Sequence, residues 1–446
     1  LLFALVLAAA PAMAQTPTAA ASEVTIDPAT MAPYQEAADR IIAAALADSS
    51  AWHRLAELSD TFGPRFSGTQ PLEDAIDWIL DEMQADGLEN VRGEKVMVPH
   101  WVRGEESVEM TAPRYAKMAM LGLGGSIATP PEGIEADVLV VSTFDELERR
   151  KVEAVGKIVV FDAPFTNYGQ TVQYRSIGAI RAAQAGAVAS LVRSVASGSM
   201  YTPHTGSMRY EDGVPKIPHA AITVEDAMML HRMQERGQNV RIRLKMSAQT
   251  LPDAPSRNVV AELRGREFPD EVIVMGGHID SWDVGQGAMD DGGGCVAAWE
   301  ALRILKELGL RPRRTIRVVL WTNEENGLAG GTAYRDQHEA ELDNHVLAIE
   351  SDSGVFDPLG FGITGKHEAY AQVAQISTLL DKIGAGEITR GGGGADISPL
   401  MRHGVPGMAL RVDGTKYFDY HHTEADTMDK IDPQELARWV GEKVRG

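Results

Sequence analysis

From residue 255 onward, short apolar runs with almost no polar interruption alternate with longer segments of helical period. The runs cover 258–263, 271–275, 315–322, 345–349 and 405–410, and the helical patterns cover 292–308, 368–383 and 433–444. A strand that is apolar on both sides needs cover on both faces. This part of the chain therefore predicts an α/β unit with a mixed, largely parallel sheet flanked by helices. Functional groups in such sheets collect where the strands end and the loops begin. Upstream, helix is predicted at 31–48 and at 71–88, where Leu72, Ala75, Ile76, Ile79, Leu80 and Met83 share one face and Gly87 supplies the stop. Short strands follow over 94–123, and the Gly/Pro-rich stretch 124–133 reads as a boundary. Between 136 and 246, strands at 137–142 and 157–162 and a helix at 178–185 leading into 187–193 predict a second, compact module.

Composition narrows the partners. The 446 residues are 44% hydrophobic and 24% charged, enough for two domains with real cores. Lys plus Arg number 42 against 63 Asp plus Glu, a net charge of -21, which argues against nucleic acid or an anionic membrane surface as a partner. The single cysteine, Cys295, rules out an intrachain disulfide framework and a cysteine-based zinc finger; inside a helix pattern it reads as a small buried residue. Residues 1–14, LLFALVLAAAPAMA, have the length of a secretory h-region closed by the small-residue site Ala12-Met13-Ala14, and lack the charged n-region. Export to the periplasm or medium is expected. The run is shorter than the roughly 20 apolar residues a bilayer span needs.

Hard and borderline metal ligands recur after successive predicted elements: His278 and Asp280, Asp290, Glu324 and Glu325, Asp352, and His421 and His422. Any one of them reads equally well as a turn residue, a cap or a solvated acid. Together they offer nitrogen and oxygen donors without cysteine, and two imidazoles with three carboxylates from among them would match a pair of Zn²⁺ ions. Asp290, at the start of a helix, is placed to bridge them. Asp280, two residues after His278, is expected to orient the second ring nitrogen of that histidine. Of Glu324 and Glu325, one is free to act as a general base. The glycines at 391–394, before Asp396, lack the GK[ST] of a phosphate loop and are read as a place where backbone approaches substrate. His204 and His219 have no partners at ligand spacing, and Trp282 and Asp283 are candidates for the cleft wall.

The strings GGHIDSWDVGQGAMDDGGG, WTNEENGLAGG, ESDSG and YHHTEADTMDKID, in this order, resemble the M28 family of co-catalytic zinc exopeptidases. AVGKIVVFDAP, AIRAAQAGAVASLV and IPHAAITVEDAMML resemble the protease-associated domain, a module inserted in several exopeptidase families. The resemblance implies a zinc-exopeptidase-like fold in which 126–248 is inserted between 15–125 and 249–446. It implies two zinc ions per subunit, one on His278 and Asp352, the other on Glu325 and His422, with Asp290 bridging and Glu324 as the base. The family motif puts the ligand histidine before a small hydroxyl residue, here Thr423. Relatives often carry tyrosine one position earlier, where this chain has His421, expected to hydrogen-bond the substrate carbonyl or oxyanion. The implied activity is hydrolysis of a terminal bond in a short peptide by a dipeptidase or carboxypeptidase that forms a homodimer, with Arg390, Arg411 and Lys416 as candidates to hold a terminal carboxylate. Aminopeptidase is the runner-up. A metal-free receptor on the same fold and a di-metal amidohydrolase for acylated amino acids are compatible with the same pattern.

Overall fold

The structure, a computed structural model, describes residues 28–443, so the export signal expected at 1–14 lies outside the described residues. No helix among the described residues is long and apolar enough to cross a membrane. Strands β1 (Glu89–Val102) and β10 (Gln249–Leu263) pair antiparallel along most of their length. The eight strands between them in sequence form a sheet of their own: β2 (Glu106–Ala112), β3 (Ala116–Met118), β4 (Met120–Gly122), β5 (Ile134–Val141), β6 (Ile158–Phe161), β7 (Ala189–Arg193), β8 (His219–Ile222) and β9 (Arg241–Met246), in the order β3-β2-β9-β5-β6-β7-β8-β4. After β10 come β11 (Phe268–His278), β12 (Arg314–Trp321), β13 (His345–Glu350), β14 (Pro358–Thr364), β15 (Glu387–Arg390) and β16 (Gly407–Val412), which complete the main sheet in the order β1-β10-β12-β11-β13-β16-β14-β15.

The register Val102↔Gln249 brings the exit of β1 and the entrance of β10 side by side, so a whole module fits between them without disturbing the main sheet. The second unit thus begins just after β1, about 20 residues before the boundary expected at 126: β2 pairs with β9 and β4 with β8. In the main sheet, β12-β11-β13-β16 are mutually parallel, as the apolar runs predict, while β1, β10 and β14 make antiparallel pairings. Successive side chains of a strand point to opposite faces. Val318 and Leu320 of β12 accordingly join a core with the helices Gln70–Ala85 and Gly293–Glu307. Val319 and Trp321 join the opposite core with Tyr334 and Leu400, from Ala329–Gln337 and Ser398–His403.

One buried charge gives this packing a measurable pH dependence. Lys443 donates to the carbonyls of Gly276 (3.2 Å) and Gly294 (2.8 Å), and burial pushes its ammonium down to about 8 from 10.5 despite the attraction of Asp291. A depressed lysine pKa penalises folding while the group is charged. The full cost, about 3 kcal/mol, applies below pH 8, and from there to 10.5 the unfolded chain binds more protons, so stability rises with pH. The thermal midpoint of the wild type should therefore climb from pH 8 to 9.5 relative to that of Lys443→Met. Parallel curves for the two proteins would refute this.

Candidate metal centre

Parallel pairing of β11 with β12 and β13, in the registers His278↔Trp321 and Gly276↔Glu350, lines up three strand ends. His278 ends β11. Glu324 and Glu325 follow β12 after Asn323, whose φ of 67° turns the chain sharply, and Asp352 follows β13. Asp290 enters from the turn before the helix Gly293–Glu307, and His422 from the loop after Tyr417–Tyr420. His278 Nε2 lies 3.2 Å from Asp290 Oδ1 and 3.7 Å from Asp352 Oδ1. His422 Nε2 lies 3.3 Å from Asp290 Oδ2 and 3.0 Å from Glu325 Oε2. The predicted ligands therefore converge, with Asp290 shared between two groups. His421 stacks on His422 with ring centroids 3.5 Å apart, and its Nε2 is 3.7 Å from Asp290 Oδ2, so it too borders the second group.

Burial alone would raise the Asp290 carboxyl, but the His278 and His422 imidazoles beside it hold it well below the ordinary range. Burial would lower His422, yet Glu325 and Asp290 raise it to about 10. Burial, with Asp290 nearby, lifts Glu325 to about 7. Burial and the negative charges of Asp352, Glu325 and Asp290 push Glu324 well above the ordinary range. Asp290 Oδ2 and Glu325 Oε1 are buried without a hydrogen-bond partner. Buried, unpartnered carboxylate oxygens facing imidazole nitrogens form a set that fits divalent cations: the nitrogen and oxygen donors match Zn²⁺, and the cation neutralises the carboxylates.

The supporting contacts differ from expectation in one respect. His278 Nδ1 is held by the main-chain carbonyl of Asp280 at 2.9 Å, whereas the Asp280 carboxylate is 3.9 Å away. That carboxylate instead accepts the backbone N–H groups of Glu324 (3.0 Å) and Glu325 (3.3 Å) and so fixes the glutamate turn. Asp426 accepts the N–H groups of Ala288, Met289 and Asp290 and does the same for the turn that carries Asp290. Fully buried Arg65 ties Ile279, Gln286 and Gly287 together through their carbonyls.

A cavity of about 580 Å³ opens on Asp290, Glu324, Glu325 and Asp352, and its walls include Tyr168, Arg175, Arg411, Tyr417, Phe418 and His421. Of the three basic residues singled out in the sequence, Arg411 lines it, paired with Glu387. Arg390 instead stacks on Tyr370, and neither it nor Lys416 is among the cavity walls. Trp282 is packing, stacked on Phe66, and Asp283 pairs with Arg103. The run 391–394 serves an internal contact: a Cβ on Gly394 would stand 2.1 Å from Glu350 Cδ, so the backbone lies against that carboxylate and not against the cavity. Sequence reasoning missed Tyr417, whose hydroxyl donates to Asp352 Oδ1 at 3.4 Å, and Asp426. Both lie within four residues of the histidine pair, a spacing that could have flagged them. Tyr168 and Arg175, from the inserted unit, carried no such signal.

A mixed sheet with imidazoles and carboxylates gathered at the ends of its parallel strands, beside a cavity, is the arrangement of a metal-dependent hydrolase fold. Residues 258–442 match peptidase family M28. Carboxypeptidase Q of Bos taurus is 53% identical over 390 residues, 87% of this chain and 83% of that protein. The chain belongs to peptidase family M28. A solved peptidase M28 precursor from Shewanella amazonensis SB2B superposes with a TM-score of 0.88 at 37% identity, covering 92% of this chain and 95% of that one. A zinc aminopeptidase from Bacillus subtilis, at 21% identity and a TM-score of 0.66, covering 88% of this chain and 93% of that one, shares the fold.

Proposed function

We propose that the protein is an exported two-zinc exopeptidase that removes a terminal residue from short peptides with a free carboxyl terminus, acting as a dipeptidase or carboxypeptidase. The observation that carries this reading is the pair of donor groups meeting at Asp290, with the Glu324 carboxyl beside them on the cavity. His278 and Asp352 would hold one ion, Glu325 and His422 the other, and Asp290 both. Zinc bound there supplies Lewis-acid polarisation of a carbonyl and lowers the pKa of water. Glu324 takes the proton of the attacking water and delivers it to the leaving amine as the C–N bond breaks, a role suited to a carboxyl that lines the cavity beside the donor groups. His421 Nδ1, buried without a partner, is available to the substrate carbonyl or to the oxyanion that develops from it. Arg411 and Arg175 on the cavity wall favour a substrate carboxylate over a substrate amine. The three module strings support a protease-associated type for the inserted unit, and the family resemblance supports a homodimer.

The runner-up, an aminopeptidase, uses the same ligand set. A panel of free, N-blocked and C-amidated dipeptides, assayed with and without chelator, separates the two. C-amidation should lower kcat/KM by about a hundredfold, the equivalent of roughly 3 kcal/mol for a lost charge-assisted contact, and chelator should abolish turnover. Full activity on C-amidated peptides with none on N-blocked ones would select the aminopeptidase. Cleavage of acylated amino acids alone would select an amidohydrolase, and no chelator-sensitive turnover on any of them would select a receptor.

A further inference from the structure

The two proposed metal positions are supported from different parts of the molecule. Around His278 every partner belongs to the main sheet and its loops. Its Nδ1–H meets the carbonyl of Asp280, its N–H meets Asp291 Oδ2 at 3.1 Å, and the nearby Asp352 receives Tyr417. Around His422 and Glu325, beside the Asp280 carboxylate that accepts the Glu325 N–H, a set of partners comes from the inserted unit, more than 100 residues away in sequence. Thr205 N–H donates to the carbonyl of His422 at 2.9 Å, and the Thr205 carbonyl lies 3.3 Å from His422 Nδ1. His204 Nδ1 donates to the carbonyl of His421 at 2.8 Å. Ser207 Oγ donates to the carbonyl of Glu325 at 2.7 Å.

The Thr205 carbonyl and Arg175 Nη1 (3.4 Å) both stand at His422 Nδ1, so the ring is held with Nε2 facing Glu325 and Asp290. That is the ring orientation a ligand needs. The loop that presents this histidine is strained, since His422 holds φ at 62°, a conformation a β-carbon side chain rarely adopts without outside support. The segment giving that support is itself tied into the second sheet. Thr205 Oγ1 donates to Gly122 O (2.8 Å), His204 N–H donates to Ser194 Oγ (2.9 Å), and the Gly206 carbonyl accepts Gly124 N–H (3.0 Å). Arg175 Nη1 also donates to the Thr205 carbonyl at 3.3 Å.

We propose that residues 204–207 of the inserted unit are positioning residues for one metal site only: they hold His422 and Glu325 in ligating positions, so that the Glu325/His422 site depends on the inserted unit and the His278/Asp352 site does not. The inference rests on the two-zinc reading above. It assigns the inserted unit a part in building the metal centre in addition to walling the cavity.

Zn²⁺ titration of the chelator-stripped full chain, followed by calorimetry, tests it. The wild type should take two equivalents. His204→Phe with Ser207→Ala removes two of the donors while nearly conserving shape, because His204 Nε2 has no partner to lose. The double variant should bind the first equivalent as the wild type does and the second about ten- to a hundredfold more weakly. Putting Asn at 204, which restores a donor near the Nδ1 position, should recover part of the loss. Wild-type affinity for both equivalents in the double variant overturns the inference, and so does equal weakening of both. A wild type that takes fewer than two equivalents overturns the two-zinc reading instead, and the inference with it. Hydrogen exchange on the unmutated protein needs no variant to fold. Filling the second site should slow exchange of the Thr205 amide, and an unchanged rate would count against the proposal.

Discussion

Glu324→Gln is expected to keep its full complement of metal while kcat on a dipeptide falls by a factor of about 10³, within the range for loss of a general base. The geometry separates the two properties. Glu324 contributes to neither donor group, and its place is set through the backbone, whose N–H is bound to Asp280 Oδ1, a contact that the amide leaves intact. What the amide cannot do is accept the proton of water and pass it on. Measuring metal content beside steady-state kinetics checks the point. A variant with unchanged metal and turnover within tenfold of wild type would remove Glu324 from the mechanism. The same assay applied to His421→Ala tests the oxyanion role, which unchanged turnover would exclude.

The second large effect is expected at Asp290. Because both donor groups use this one carboxylate, Asp290→Ala should weaken binding at both positions and bring activity below about 10⁻⁴ of wild type, whereas His422→Ala should leave the His278/Asp352 position occupied. Occupancy also feeds stability, since an ion that binds only the folded chain raises the midpoint in proportion to the logarithm of its concentration over Kd. Added Zn²⁺ should therefore raise the thermal midpoint of the stripped wild type markedly and that of Asp290→Ala very little. Equal shifts in the two proteins would show that Asp290 is not the shared ligand.

The parallel centre of the main sheet was readable because β11, β12 and β13 are buried on both sides and so carry uninterrupted apolar runs. β14 was not, since PLGFGIT carries two glycines and its strand character comes from pairing with β16 and β15. The boundary of the second unit was misplaced for a related reason. The Gly/Pro-rich stretch after 124 is a local signal, but Val108 finds its partner at Leu244, and no local pattern encodes a pairing over that distance.

The chemistry divides in the same way. Residue types at strand ends, and their order along the chain, together with the family resemblance, already pointed to the side chains that converge, although each alone reads equally well as a turn residue, a cap or a solvated acid. The roles of the supporting groups were decided only by tertiary structure. Whether Asp280 serves His278 through its carbonyl or its carboxylate depends on a side-chain rotation, and the grip of Thr205 on His422 depends on two sheets meeting across 217 positions of sequence. A hydrogen bond is directional over a few tenths of an ångström, and composition and spacing carry no information at that scale.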